Sequence, residues 1–304
     1  MSPFDFAQGQ ALRRVVSAGA VVGAILSGSG RLVSAQNVPS FRGGADLVAI
    51  DVSVQQRGRP VTGLMAADFE LLDNGVPQAV AQLAFETLPI DLTVAFDVSE
   101  SVKGEVLAQL RRSVRELMQD LAPQDRFRLL TFNVRITRLV DFGAPASAID
   151  AAFDRVRPFG ATALRDAIAV ALATVSPPER RQLVVAFSDG DDRSSVTSAE
   201  ALLDVARHTT PTLGVVLAAS NSPAASERVQ AYTRLAKETG GFMELANADK
   251  SLGGTFRRLL ADFRRSYVLY FTPHGVAASG VHTLDVRVKR PGVDVRARRG
   301  YSAK

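Results

Sequence analysis

The middle of the chain alternates between two hydrophobic patterns. Residues 183–187 form a continuous apolar run, typical of a central strand buried on both faces, and residues 90–96 form a second strand-like segment. Elsewhere apolar residues recur every three or four positions, which indicates amphipathic helices; the first of these carries Val102, Val106, Leu110, Val114, Leu117 and Leu121. Because alternating strands and helices form βαβ units, residues 89–264 are predicted to be an α/β domain with a Rossmann-like, doubly wound, mostly parallel sheet.

Both flanks of this region carry a β pattern without a helical period. In the first flank, the strand-like segment 69–72 runs into Asp73-Asn74-Gly75, a hairpin signal, and residues 80–85 are predicted to be the return strand. The second flank predicts three strands, the last two joined by Arg290-Pro291-Gly292. Neither flank has enough apolar residues for its own core, so residues 36–88 and 265–304 are predicted to pack together as a smaller all-β domain. The alternative is a separate β extension at each end of the α/β domain.

Oxygen-bearing side chains cluster where the predicted strands end. Asp97, Ser99 and Ser101 follow the strand at 90–96, and alternation along an extended backbone would point all three the same way. Thr162 and Asp189 stand where a parallel sheet could bring them to the same edge. Carboxylates and hydroxyls are hard ligands, which a small divalent cation such as Mg2+ prefers. The sequence therefore predicts a metal site at this edge.

The order of these residues carries a family resemblance. A D-x-S-x-S segment at 97–101, then a Thr, then an Asp after an apolar strand resembles the metal-ion-dependent adhesion site (MIDAS) of von Willebrand factor A (vWA) domains. The resemblance covers residues 88–263. It implies that Asp97, Ser99, Ser101, Thr162 and Asp189 bind Mg2+, Mn2+ or Ca2+, and that an Asp or Glu of a protein partner completes the coordination shell. It thus implies a divalent-metal-dependent protein-binding module for adhesion or assembly.

The flanks resemble a narrower group. The segments 58–64 and 265–269, the Asp73-Asn74-Gly75 turn and the closing Arg299-Gly300-Tyr301 are similar to vWA-related exported proteins common in Acidobacteria. That resemblance implies a vWA domain with β-rich flanks in an exported protein. It implies no particular activity, because this group has no clear shared biochemical role.

The N-terminus carries an export pattern. Arg13-Arg14 precede the apolar run 15–26, and Val33-Ser34-Ala35 supplies small residues before a cleavage point. Residues 1–35 are predicted to be a signal peptide cleaved after Ala35, so that the protein is periplasmic or extracellular. An uncleaved anchor or a disordered tail is the alternative. No other segment is long and apolar enough for a transmembrane span.

Composition excludes several classes of function. Cysteine is absent, which excludes disulfides, thiolate metal sites and cysteine nucleophiles. The net charge of +5 falls to +3 without residues 1–35. The basic residues near the C-terminus alternate with valines and lack aromatic interleaving, which favours the solvated face of strands over nucleic-acid binding; they include Arg287, Lys289, Arg290, Arg296, Arg298 and Arg299.

Three alternatives to a metal-dependent adhesion site stay open. The five side chains could simply cap helices and turns, with Ser101 capping the first helix. The domain could be a metal-independent vWA scaffold. It could, less readily, be a metal-dependent hydrolase, but G-x-S-x-G and P-loop motifs are missing and His208, His274 and His282 lack metal-ligand spacing. The chain is therefore predicted not to be an enzyme.

Neighbouring acidic residues have supporting roles in this scheme. Asp166, one turn into the helix after Thr162, is predicted to hold the loop by hydrogen bonds. Asp191 and Asp192 are predicted to attract the cation or to stay solvated, and Glu100 to face away from the site.

Overall fold

The computed structural model describes residues 47–102, 104–145, 147–219, 224–246 and 251–303. The predicted signal peptide lies outside them. A short 3-10 turn covers Ala66–Asp68. The strands are β1 (Val48–Gln56), β2 (Arg59–Pro60), β3 (Phe69–Asp73), β4 (Val76–Gln78), β5 (Gln82–Phe85), β6 (Ile90–Asp97), β7 (Arg126–Phe132), β8 (Ile136–Val140), β9 (Arg181–Ser188), β10 (Thr212–Ala218), β11 (Phe242–Ala246), β12 (Tyr267–Phe271), β13 (Gly280–Val288), β14 (Asp294–Ala297) and β15 (Gly300–Ala303). The helices are α1 (Glu105–Gln119), α2 (Ser147–Phe153), α3 (Leu164–Leu172), α4 (Ala199–His208), α5 (Ala225–Glu238) and α6 (Leu252–Arg264).

A six-stranded sheet forms the centre of the α/β part, in the order β11-β10-β9-β6-β7-β8. All its pairs are parallel except β7 with β8. Helices α1, α2 and α6 cover one face, and α3, α4 and α5 cover the other. The expected three-layer, mostly parallel α/β fold is confirmed. The antiparallel edge strand β8 was not foreseen, because its five residues show no strict alternation of apolar and polar positions.

The two flanks meet in two further sheets. Strand β1 pairs antiparallel with β12 and β14, while β13 pairs with β3 and β15. Apolar side chains from both ends of the chain share one core, among them Ile50, Phe69, Tyr267, Leu269 and Phe271. Burial of these side chains supplies the hydrophobic free energy that neither flank could provide alone. The boundaries of a separate all-β domain stay a prediction.

The return strand of the first hairpin was wrongly placed at 80–85. Asn74 and Gly75 both have positive φ, +48° and +81°, as a two-residue hairpin turn requires, so pairing resumes at once and β4 is the return strand. The later segment, β5, pairs with β12 instead. Strand β15, which pairs with the start of β13, was not foreseen.

A buried polar cluster ties the β layers together. Asp73 accepts hydrogen bonds from His282 Nδ1 at 2.8 Å and from the Tyr301 hydroxyl at 2.6 Å. All three side chains are buried, and they join β3, β13 and β15. Burial raises the pKa of Tyr301 further above its ordinary value, so its hydroxyl stays a donor at neutral pH.

Tyr301→Phe is expected to lower the free energy of unfolding by about 1–3 kcal/mol, because a buried carboxylate oxygen loses its donor. Phenylalanine keeps the ring packed beside Phe271, so the change isolates the hydroxyl. Urea unfolding followed by circular dichroism measures the loss. A stability unchanged from that of the parent protein would show that Asp73 needs no bond from Tyr301.

Candidate metal centre

The carboxyl ends of β6 and β9 lie side by side at the centre of the sheet. The parallel register places Phe96 beside Phe187, which brings Asp97 level with Ser188. Strand order reverses here: β7 lies on one side of β6, whereas β9 and β10 lie on the other side. Such a switch point is where doubly wound sheets bind ligands.

The five side chains of the predicted metal set belong to one hydrogen-bonded network. The Thr162 hydroxyl donates to Asp97 Oδ2 at 3.2 Å, and the Ser99 backbone N–H donates to Asp97 Oδ1 at 2.8 Å. The hydroxyls of Ser99 and Ser101 are 3.1 Å apart, and Ser101 donates to Asp189 Oδ2 at 3.0 Å. The structure thus brings the five side chains together, although the first, Asp97, and the last, Asp189, are 92 positions apart in the chain.

The path of the D-x-S-x-S segment differs from the expected extended one. Strand β6 ends at Asp97, and the backbone then turns, with the Val102 N–H donating to the Ser99 carbonyl at 3.0 Å. The Asp97 carboxylate holds this turn by accepting from the Ser99 N–H, as Asp side chains often do in turns. The turn, and not strand alternation, makes the two serines converge with Asp97.

Backbone contacts fix the loop that carries Thr162. The Glu100 N–H donates to the Gly160 carbonyl at 2.9 Å, and the Ala163 N–H donates to the Asn133 carbonyl at 3.0 Å. Gly160 has φ of +71°, a conformation that favours glycine. On the other side, the N–H groups of Arg193 and Ser194 both donate to the Thr162 carbonyl. The Thr162 hydroxyl is therefore positioned from three loops.

Asp97 lies fully buried beneath the network. Burial raises its pKa, and the nearby charge of Asp189 adds to this, while hydrogen bonds from Ser188 and Ser99 act against it. The two carboxylates repel each other when both are ionised. A cation bound between them would remove that repulsion.

Ser188 is a residue that sequence reasoning missed. Its hydroxyl donates to Asp97 Oδ2 at 2.6 Å and accepts from the Gly190 N–H at 3.0 Å. It holds the Asp97 carboxylate and shapes the turn that presents Asp189. The alignment of β6 with β9 would have revealed it, because Ser188 stands level with Asp97 in a parallel register.

The three acidic residues near the site have different contacts and different roles. Asp166 accepts from the N–H groups of Val196 and Thr197, so the loop that it holds by hydrogen bonds is the one before α4. Of the two roles expected for Asp192, attracting the cation or staying solvated, the solvated one was wrong, because its buried carboxylate accepts from the Arg165 N–H and the Ser195 hydroxyl. Asp191 is half-exposed and forms an ion pair with Arg193.

The donor set suits a hard divalent cation. Three hydroxyl oxygens and two carboxylates converge here. In the described part of the chain, no cluster of three or more His, Asp or Glu side chains offers a different kind of metal site. Helix α1 begins after Gly104 without a side-chain cap, so Ser101 does not serve as its cap and its hydroxyl contacts Asp189. The chemistry of these oxygens fits Mg2+ or Mn2+ better than a soft metal.

Comparison with known proteins supports the fold assignment. Residues 92–191 match the family model of the von Willebrand factor type A domain. Over 129 residues the chain is 28% identical to human inter-alpha-trypsin inhibitor heavy chain H4; this match covers 38% of the chain and 14% of that relative's length.

A solved structure titled von Willebrand factor type A, from Catenulispora acidiphila, superposes with a TM-score of 0.51 at 12% identity. The superposition covers 86% of this chain and 74% of the chain in that structure, and it shows a likeness of fold. Among the helices that the structure describes, none has the length and apolar character needed to cross a membrane. The sheet order, the two helical layers and the matched residues together lead to one conclusion: the central α/β part of this chain is a von Willebrand factor type A domain.

Proposed function

We propose that this protein binds a protein partner through a divalent cation held by Asp97, Ser99, Ser101, Thr162 and Asp189. The vWA domain is a module that often mediates protein interactions, and the hydrogen-bonded network of these five side chains is the observation that carries the metal-dependent form of this role. The cation, when bound, supplies a Lewis-acidic position that attracts an anionic oxygen.

The chemistry of the five residues selects the partner. Three of them are neutral hydroxyls, which bring no negative charge and leave a bound cation electrophilic toward a further oxygen ligand. A Glu or Asp side chain from the partner supplies such an oxygen with a negative charge. Ser101 is exposed at the rim, which leaves this side of the network open to a protein surface.

Electrostatics favours a metal over an empty scaffold. Asp97 is fully buried with a raised pKa, and Asp189 adds to the repulsion, so the arrangement is unfavourable when no cation offsets the charges. The turn at Ser99 gives Asp97 a structural role without a metal, but the repulsion from Asp189 remains, and a bound cation would offset it.

A hydrolase role finds no histidine base in the described network. None of the hydrogen bonds that join the five side chains in the described residues involves a histidine, and His282 is buried in the β layers beside Asp73. A hydrolase would need a base within reach of an attacking water. We infer a non-enzymatic role outside the cytoplasm, with export through the N-terminal segment.

A pull-down from envelope extract tests the proposal. The immobilised protein is expected to retain partners in Mg2+ and to release them in EDTA, with Mn2+ and Ca2+ assayed in parallel. The variant Thr162→Val removes one hydroxyl at nearly constant volume and is expected to weaken Mg2+ binding in calorimetry by about tenfold or more.

Asp191→Ala is the matched control, because this carboxylate pairs with Arg193 outside the network. It should retain both Mg2+ and partners. Partners held equally well in EDTA by the parent protein would establish the metal-independent scaffold instead.

A further inference from the structure

A cavity of about 480 Å3 lies at the other end of strand β9 from the metal centre. Its walls come from Arg181 and Gln182 at the start of β9, from the connections that follow α3 and α4, and from strands β1 and β12. This volume falls within the usual range for small-molecule sites, about 300–1,000 Å3. The cavity does not touch the five side chains of the metal centre.

Arg298 stands in the wall of this cavity with an incomplete set of contacts. Its side chain was expected on a solvated strand face, but it is only 7% exposed. Nη1 donates to the Gly300 carbonyl at 3.3 Å, whereas Nη2 is buried without a hydrogen-bond partner among the described residues. Burying an unpaired charged donor is costly, which makes such a group a binding-site candidate.

The other cationic residues of the wall already have carboxylate partners. Arg180 pairs with Asp91, Arg181 with Asp51 and Arg207 with Glu238. Among these four guanidinium groups in the described wall, Arg298 is the one without an ion pair. Burial lowers the pKa of Arg298 to about 10, so it remains charged at neutral pH. Arg298 therefore brings to the wall a positive charge without a direct carboxylate partner; the Asp51 carboxylate, which pairs with Arg181, acts on it beyond ion-pair distance.

Apolar side chains complete the lining. Leu88, Val268 and Tyr270 form a small buried cluster at the cavity, and Leu172 approaches from the end of α3. A bare inorganic ion would leave these surfaces without a contact. A molecule with an anionic head and an apolar body would satisfy both parts of the lining.

We propose that this cavity is a binding site for a small organic carboxylate, whose head group pairs with Arg298 and whose apolar body packs against Leu88, Val268 and Tyr270. A carboxylate beside Arg298 would give this buried guanidinium the direct anionic partner that it lacks. The site is independent of the metal centre, and it would tie β1, β12 and the C-terminal strands to the α/β part.

Calorimetry and thermal unfolding with octanoate as the probe test this proposal. Octanoate is expected to bind the intact protein and to raise its Tm, and Arg298→Gln should weaken binding by about tenfold or more. Arg299→Gln is the matched control, because Arg299 is the exposed neighbour in the sequence and should leave octanoate binding unchanged. Undiminished binding to Arg298→Gln would overturn the proposal.

A second variant keeps the test valid if Arg298→Gln fails to fold. Ala173 is exposed and lies in the cavity wall after α3, so Ala173→Trp blocks the cavity without removing a core side chain. It should fold as the parent protein does and lose the octanoate response; a retained response would overturn the site. Octan-1-ol and inorganic phosphate serve as further probes, and both should fail to stabilise the protein. If octan-1-ol raised the Tm as much as octanoate does, the carboxylate charge would have no role in binding. If phosphate did so, the apolar body of the ligand would have no role.

Discussion

Asp97→Asn is expected to abolish measurable Mg2+ binding in calorimetry, with an affinity loss of at least about 100-fold. Even changes to groups that only support a metal ligand cost about 10–100-fold, and Asp97 anchors the whole network through Ser99, Thr162 and Ser188. The thermal stabilisation that Mg2+ gives the parent protein should disappear with it.

The same variant carries its own control for folding. Because the folded state raises the pKa of Asp97, the ionised carboxylate lowers stability at neutral pH in the absence of a cation. In EDTA, the stability of Asp97→Asn relative to the parent protein should therefore be higher at neutral pH than at acid pH, where the parent carboxylate is protonated. A relative stability that does not rise with pH, or a variant that still takes up Mg2+ normally, would contradict the assigned role of Asp97.

Asp91→Asn is expected to lower the free energy of unfolding by about 3–5 kcal/mol, the usual cost of removing one partner from a buried ion pair. Asp91 is fully buried at the start of β6 and accepts hydrogen bonds from both Arg126 and Arg180. Without the carboxylate, two guanidinium groups, of which Arg180 is only 15% exposed, would lose their anion. Denaturant unfolding at neutral pH measures the change.

The pH dependence of this contribution has a definite sign. Burial opposes ionisation of Asp91, but the hydrogen bonds from Arg126 and Arg180 outweigh it and lower the pKa of Asp91 below its ordinary value of 3.8. The stabilisation is present above pH 3.8 and is lost as the pH falls through the lower, folded-state pKa. The stability difference between Asp91→Asn and the parent protein should therefore narrow only below pH 3.8.

Asp141→Asn is the matched control for Asp91→Asn. Asp141 also contacts two arginines, Arg128 and Arg138, but its side chain is 46% exposed. Solvent screens such pairs, so the loss should be about 1 kcal/mol or less. Equal losses at the two positions would mean that burial does not control the strength of these ion pairs.

The convergence of these five side chains was predictable because its signal is local in sequence and its assembly follows a general rule. D-x-S-x-S stands at the end of an apolar strand, and the carboxyl ends of parallel strands meet at one edge of a sheet, so Thr162 and Asp189 had a natural place beside it. The proposed role of these residues as metal ligands remains a prediction. Asp192 and Ser188 were not assigned their structural roles, because those roles depend on the turns around Thr162 and Asp189 and on the pairing of β6 with β9.

The charge pattern of the C-terminal strands was a weaker guide. Alternation of arginine and valine correctly indicates one solvated face for β13, where Arg287 is exposed. It failed for Arg298, which follows β14 and is covered where the chain pairs with Thr239 next to α5. Periodicity reports the two faces of a strand, but it does not report what the rest of the chain places over either face.

The sequence by itself determined the alternation of strands and helices, the parallel sheet and the oxygen-rich edge, because hydrophobic period and strand-end residues are local properties. Only the tertiary structure decided which strands of the two flanks pair, where the hairpin after Asp73 resumes, and how Asp97 and the serines converge through a turn. It also decided the burial of Arg298. These features arise from contacts between distant segments, whose free energy depends on packing that no local pattern encodes.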